Sequence, residues 1–471
     1  MQKHITDSFE KNLKLFQDIL RVDKSFDIIY RTIIIGDRKA GIFFVDGFCK
    51  DEVLQKLMQF FQGKKPEEIP ANAHDFSKKL IPYGEVDLKT DVDDIVVDIL
   101  SGVPILIIDG YDKIIEFDCR TYPTRGVDEP EKDKTLRGSR DGFVETVVFN
   151  TALIRRRIRS THLTMEIVRV GTSSKTDIVI SYMDDRVDSK VLSGLKKRIE
   201  AIDIDSLSMN EESLAECLYN HKWYNPFPKF KYTERPDTAA ASILEGSVIV
   251  IVDNAPSAMI LPATLFDIIE EADDYYFPPI TGSYLRFSRF IMNVAAVLLT
   301  PTFLLLLKYP NHVPEWLNFI FIKDTINIPI VVQFIILEFA IDGLRLASVN
   351  TPSMLSTPLS VVAGIVLGDY TVSSGWFNSE VMLYTAFVAI ANYTQVSFEL
   401  GYAFKFLRII LLILTGIFGF WGWIAGVVIS LLSLVTNKTL LGTSYIYPLI
   451  PFNAKELFRH IFRVSLPNAK N

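Results

Sequence analysis

The sequence predicts an α/β cytoplasmic half of two similar subdomains, followed by an α-helical polytopic membrane domain. Three observations carry this. Charge is dense up to about Ser283, whereas apolar runs dominate from Phe287 onward. In the first half, β-type runs and helical periodicity follow one another in an order that comes round twice. At 471 residues the chain is also too long for one ordinary domain, with roughly 100 to 200 residues per domain as a guide. The expected divisions are residues 1–140 and 141–283 for the two subdomains, 284–440 for the transmembrane part and 441–471 for a basic cytoplasmic tail.

Residues 6 to 21 read as an amphipathic helix, with Phe9, Leu13, Phe16 and Ile19 at helical spacing. Asp27–Ile35 and Ala40–Val45 read as strands around the turn Gly36-Asp37-Arg38. A helix follows over Lys50–Phe61, with Asp51 as its cap, and a shorter one over Val92–Leu100. Pro104–Ile108 and Lys113–Phe117 then form a hairpin, signalled by Asp109-Gly110.

The second round repeats this order. His162–Val170 and Asp177–Tyr182 are strands, Ser189–Ile202 and Ala239–Leu244 helices, and Val248–Val252 with Ala258–Leu261 a second strand pair. FFVDGFCKDEVLQKL at Phe43 parallels SYMDDRVDSKVLSGL at Ser181, and DILSGVPILIIDG at Asp98 parallels SILEGSVIVIVDN at Ser242, which points to duplication. Chance likeness between ββα units is the alternative.

Between the copies lies a basic stretch from Leu136 to Ser160 carrying Arg137, Arg140, Arg155, Arg156, Arg157 and Arg159. Guanidinium groups suit planar, two-point contacts with carboxylate or phosphate. With the acidic run Asp91, Asp93, Asp94 and Asp98 as the nearest counterpart, the expected use is salt bridging between subdomains or subunits. No glycine-rich phosphate loop accompanies Gly138 and Gly142. In YTERPD at Tyr232, Glu234, Arg235 and Asp237 resemble a catalytic group, but no nucleophile, base or metal cluster stands beside them. The expectation is that Thr233 or Asp237 caps a helix and Pro236 fixes the turn. These arginines, with Glu234 and Asp237, are the candidates for domain coupling or subunit contact.

The membrane half opens at Phe290 with 18 mostly apolar residues and a kink expected at Pro301. Arg286 and Arg289 before it indicate a cytoplasmic entry. Trp316–Ile322 is too short to span. The second span, Ile326–Leu346, is long enough at about 20 residues per crossing, yet it carries Glu338, Asp342 and Arg345 on one face. An ionisable group in lipid costs about 2.5 to 3.5 kcal/mol, so this face must look at protein or water. Either it borders an ion path, or Asp342 and Arg345 form a structural pair that locks helices together. Leu355–Tyr370, broken by Pro358, Gly364 and Gly368, reads as an interrupted helix lining a cavity or as a tightly packed one. Val381–Val396 is a further span, and Lys405 and Arg408 mark an inside loop. Ile409–Val435 crosses once or turns back near Trp421, and the basic residues Lys438, Lys455, Arg459 and Arg463 favour the hairpin.

The net charge of -7 and the lack of a basic stripe argue against a nucleic-acid partner. Cys49, Cys119 and Cys217 form no close pair in sequence, and the six histidines have no metal-like spacing, so neither a metal nor a cofactor is expected. The N-terminus has acidic residues and no apolar core, unlike a signal peptide.

In their joint order, RGSRDGFVE at Arg137, LIRRRI at Leu153, YTERPD at Tyr232, LEGSVIVIVD at Leu244, LEFAIDGLRL around Glu338 and VVAGIVLGD at Val361 resemble the A-subunit family of bacterial spore germinant receptors. Within it the chain resembles the stage V sporulation protein AF branch. Ser139 stands where a proline is common, and Ala347 and Ser348 where the stretch after Glu338 usually reaches a proline. The resemblance implies a non-enzymatic, multi-pass protein of the inner spore membrane with its N-terminal half in the cytoplasm. It also implies a homo-oligomer working with other germination membrane proteins in the lipid bilayer, and a channel releasing monovalent cations. Glu338 and Asp342 then favour cations, and Arg345 moderates them or holds the closed state. A membrane-anchored scaffold for other germination proteins is the alternative.

Overall fold

The computed structural model describes residues 4–464, apart from 21, 23–27, 47, 122–125, 127, 128, 131, 132, 220–222, 351–363 and 365–369. The chain divides into two compact units, residues 1–126 and 127–471.

The first unit contains α1 (Phe9–Leu20), β1 (Ile28–Ile35), β2 (Arg38–Val45), α2 (Asp51–Gln62), α3 (Ala73–Lys79), β3 (Val86–Lys89), α4 (Val92–Leu100), β4 (Ile105–Ile108) and β5 (Ile114–Phe117). The strands form an antiparallel sheet in the order β1-β2-β4-β5-β3. Side chains alternate between its faces. Ile105 and Ile107 pack with α1 and α4, through Phe9, Phe16, Ile95 and Ile99, whereas Leu106 and Ile108 pack with α2 and α3, through Leu57, Phe61 and Phe76. Helices on both faces explain why β4 reads as an unbroken apolar run. The tight turn at Gly36, φ 65°, lets β2 begin at Arg38, two residues before the expected start. Asp51 is not the cap of α2: Lys50 holds that position and offers no side-chain bond.

The second unit repeats the plan with α5 (Val147–Arg157), β6 (Leu163–Val170), β7 (Thr176–Met183), α6 (Ser189–Glu200), α7 (Asn210–Leu218), β8 (Lys231–Thr233), α8 (Pro236–Leu244), β9 (Val248–Val252) and β10 (Ala258–Leu261). Its sheet order, β6-β7-β9-β10-β8, is that of the first. The likeness reaches single side chains. Buried Asn12 donates to the Thr6 carbonyl at 2.6 Å and accepts from the Thr6 N–H at 3.0 Å. Buried Asn150 does the same to Val144, at 2.6 and 2.8 Å. At 3.1 Å in each case, Asp109 Oδ1 accepts from the first N–H of α1 and Asp253 Oδ1 from that of α5. Such matched detail supports duplication over chance.

A helical half follows in the second unit: α9 (Leu265–Ile269), α10 (Asp273–Tyr276), α11 (Pro279–Lys308), α12 (Ile330–Asn350), α13 (Ser379–Tyr393), α14 (Phe398–Val435) and α15 (Ala454–Ile461). α11 and α14 are long and apolar enough to cross a membrane. Only 33% and 28% of their most apolar stretches is buried, so most of that surface faces outward. α14 bends back at Gly419, whose φ 59° and ψ -131° are not helical. A Cβ on Gly426 would collide with Leu411, and Leu434 packs beside Leu400 and Ala403, so the two limbs lie side by side. The hairpin is therefore the arrangement adopted, turning two residues before Trp421. α12 starts after Pro329 rather than at Ile326 and runs on to Asn350. The interrupted helix expected over Leu355–Tyr370 lies almost wholly outside the described residues.

Candidate functional site

The ionisable face of α12 meets a matching face on the first limb of α14. Glu338 and Asp342 are one helical turn apart, as are Lys405 and Arg408, so the four side chains meet as two layers. Arg408 Nε donates to Glu338 Oε1 at 2.7 Å and Nη2 to Oε2 at 2.9 Å, the parallel geometry that suits a guanidinium. Its remaining nitrogen donates to the Ala296 carbonyl, which ties in α11. Lys405 Nζ donates to the Glu338 carbonyl at 3.0 Å, lies 3.4 Å from Glu338 Oε2 and pairs closely with Asp342. Glu338, Lys405 and Arg408 are buried, while Asp342 is partly open. The four formal charges sum to zero. Beside them is a cleft of about 20 Å³, enough for one water. A second polar link joins α12 to α13: Gln333 Nε2 donates to Asn378 Oδ1 at 2.8 Å and Gln333 Oε1 accepts from the Asn378 N–H at 2.9 Å.

The structure departs from the sequence-based expectation at two points. Asp342 is bound by Lys405, not by Arg345, whose guanidinium stacks 4.3 Å over the Phe398 ring and 5.3 Å over Tyr402. Lys405 and Arg408 belong to no loop; they sit inside α14 because buried carboxylates on α12 require cations there.

A second cluster joins the α/β part of this unit to α11. Arg289 Nη1 donates to Asp274 Oδ2 at 3.0 Å, and Nη2 to Asp274 Oδ1 at 2.9 Å and Glu271 Oε2 at 2.8 Å. Arg286 pairs with Glu270, lies 3.4 Å from Asp274 and donates to the Arg459 carbonyl at 2.7 Å. Both arginines lie within α11 and are engaged by carboxylates. Burial pushes the Glu271 carboxyl up, and Arg289 opposes it. Next to this cluster, fully buried Arg235 donates to Asp237 at 3.1 and 2.7 Å, to the Ser139 carbonyl at 2.8 Å and to the Asp133 carbonyl at 3.2 Å. Burial works against its charge, yet Asp237 holds its pKa above the ordinary value. Asp237 also accepts from the Tyr276 hydroxyl, and a Cβ on Gly138, φ 127°, would strike the Tyr276 ring. RGSRDG and YTERPD are thus two sides of one joint.

The remaining candidates behave differently. Arg157 pairs with Asp141, and within the first unit Asp98 pairs with Lys89. Arg155 donates to the carbonyls of Ser160 and Leu163 at 3.0 and 2.8 Å. Arg137, Arg140 and Arg156 are exposed. The Glu234 carbonyl accepts from the Phe143 N–H at 2.8 Å. Neither Thr233 nor Asp237 caps α8: Arg235 holds the cap position and Pro236 the first helical one. Cys49 and Cys119, distant in sequence, share one core, where Cys49 Sγ donates to the carbonyls of Val45 and Gly102 at 3.8 and 3.7 Å. Among the described residues, His162 with Asp184 and Asp185, and Asp267 and Glu270 with His460, bring metal-ligating atoms within 4.8 Å of one another. In the second set Asp267 Oδ2 accepts from the N–H and hydroxyl of Thr264, the cap of α9, and Glu270 pairs with Arg286.

The Bacillus/Clostridium GerA spore germination protein family matches residues 15–471. The chain is 36% identical to stage V sporulation protein AF of Bacillus subtilis (strain 168) over 461 residues, 98% of this chain and 93% of that protein. It is 30% identical to the uncharacterized membrane protein YfkQ of the same organism, covering 92% and 84%. To its spore germination protein KA the identity is 27%, covering 98% and 85%.

Proposed function

This chain belongs to the Bacillus/Clostridium GerA spore germination protein family, and we propose that it is a non-enzymatic, multi-pass subunit of a germination complex in the inner spore membrane. Several copies assemble, with other germination membrane proteins, around a route for monovalent cations. The α/β subdomains, residues 1–140 and 141–283, lie in the cytoplasm and govern assembly or opening.

The observation that carries the reading is the buried set Glu338, Lys405 and Arg408, with partly open Asp342 beside it, held among helices whose outward surfaces are apolar. Charges survive at such depth when they pair with one another and face protein or water. In the arrangement described, both carboxylates are paired with cations, and a cleft of about 20 Å³ lies beside them. The set therefore acts as a lock for the closed state, and the route lies between copies. Release of Lys405 and Arg408 would give the path the negative charge that favours cations. Arg286 and Arg289 transmit movement of the second α/β subdomain to α11.

The same neutralised set favours a second reading, in which the pairs only hold together a membrane anchor for a scaffold. Potassium efflux from vesicles holding the purified protein separates the two. Conduction requires efflux above that of empty vesicles, altered in a Glu338→Leu/Arg408→Leu variant of equal abundance. Unchanged efflux in that variant removes both residues from the path, and no efflux from either protein favours the scaffold.

A further inference from the structure

We propose that α15 and the first turns of α11 form a surface that docks into the headgroup layer of the membrane, an inference that rests on the membrane reading above. α11 has 30 residues, about 45 Å of helix against a hydrocarbon core of about 30 Å. Its most apolar stretch begins near Phe290, so roughly ten residues at its start lie at headgroup level. They are not a polar stalk: Ile280, Tyr284, Phe287 and Ile291 are exposed and recur at intervals of four, three and four, one continuous stripe leading into the spanning part.

α15 is fastened at this same level. Arg286 donates to the carbonyl of Arg459, and the Arg463 N–H donates to Ser283 Oγ at 3.0 Å. Leu457 and Ile461 are partly covered, while Phe452, Lys455, Phe458 and Phe462 are exposed, and the Phe458 and Phe462 rings lie 4.9 Å apart. Three exposed phenylalanines beside a lysine do not suit bulk water. They suit the boundary between headgroups and acyl chains, where aromatic rings bury. Lipid is the occupant because this face continues at the level where α11 enters the apolar layer.

The test uses the full chain, with Cys217→Ser, in vesicles of phosphatidylcholine and phosphatidylglycerol. Bimane is attached at Phe458→Cys, Phe462→Cys, Ile417→Cys or Lys197→Cys in turn. The expected result is quenching at 458 and 462 by a headgroup nitroxide with loss of iodide access, quenching at 417 by a deep acyl-chain nitroxide, and free iodide access at 197. If 458 and 462 are as open to iodide as 197 while 417 is quenched from within the bilayer, the docking surface is overturned and the membrane reading stands. If 417 escapes the deep nitroxide, both fall.

Discussion

Arg408 holds both oxygens of Glu338, at 2.7 and 2.9 Å, across two helices that are 70 residues apart in the chain at this contact. Neither charge is stable at such depth without the other. Glu338→Ala is expected to lower stability by about 3–5 kcal/mol, because it strands a buried guanidinium. The double variant Glu338→Leu/Arg408→Leu is expected to regain most of that loss, since an apolar pair of similar volume needs no counter-charge. Thermal unfolding of the purified variants in detergent checks this. A double variant no better than the single one would contradict it.

Arg289 binds both oxygens of fully buried Asp274 and one of Glu271. Arg289→Ala is expected to cost about 3–5 kcal/mol. Arg289→Lys should fall between that variant and the parent, because a point charge cannot reproduce the fork. Limited proteolysis at the start of α11 reports the loosening.

Glu116, buried in the first unit, has its pKa pushed up to about 7, first by burial and then by Asp98. Its folded form binds a proton more tightly than its unfolded form, so its contribution to stability is complete below about pH 4.5 and fades as pH rises to about 7. Glu116→Gln should remove that slope and stabilise the protein at neutral pH by about 1–3 kcal/mol. Denaturant unfolding followed across this range measures it.

Gly419 has φ 59° and ψ -131°, a conformation open essentially to glycine alone. Gly419→Ala is expected to cost about 1–3 kcal/mol, with Tyr309 in the way of the new methyl group. Gly416→Ala is an unsuitable control, as its Cβ would meet Val331. An unchanged melting temperature for Gly419→Ala would argue against the hairpin.

The legible parts of the sequence were those with local signals. Val248–Val252 appears with its expected bounds because five β-formers lie between Gly246 and Asp253-Asn254. The edge strands β3 and β8, four and three residues long, are too short to show a period and exist through their pairing with β5 and β10. At the charge cluster the carboxylates were visible and their partners were not. Charges in an apolar region can mark a loop or a buried pair, and composition does not separate the two. The available signal was spacing: Lys405 and Arg408 stand one turn apart, as do Glu338 and Asp342. Likewise Arg286 and Arg289 read as marks of a cytoplasmic entry, and the signal for their pairing was the run EEADD from Glu270, complementary to them in charge.

Single-particle imaging of the purified protein in a lipid disc tests the central claim most directly. The expected result is a closed ring of copies around an axial passage, with α11 and α14 in the bilayer and the face of α12 turned toward protein or water. A solitary protomer, with Glu338 and Asp342 in dry packing away from any axis, would contradict it.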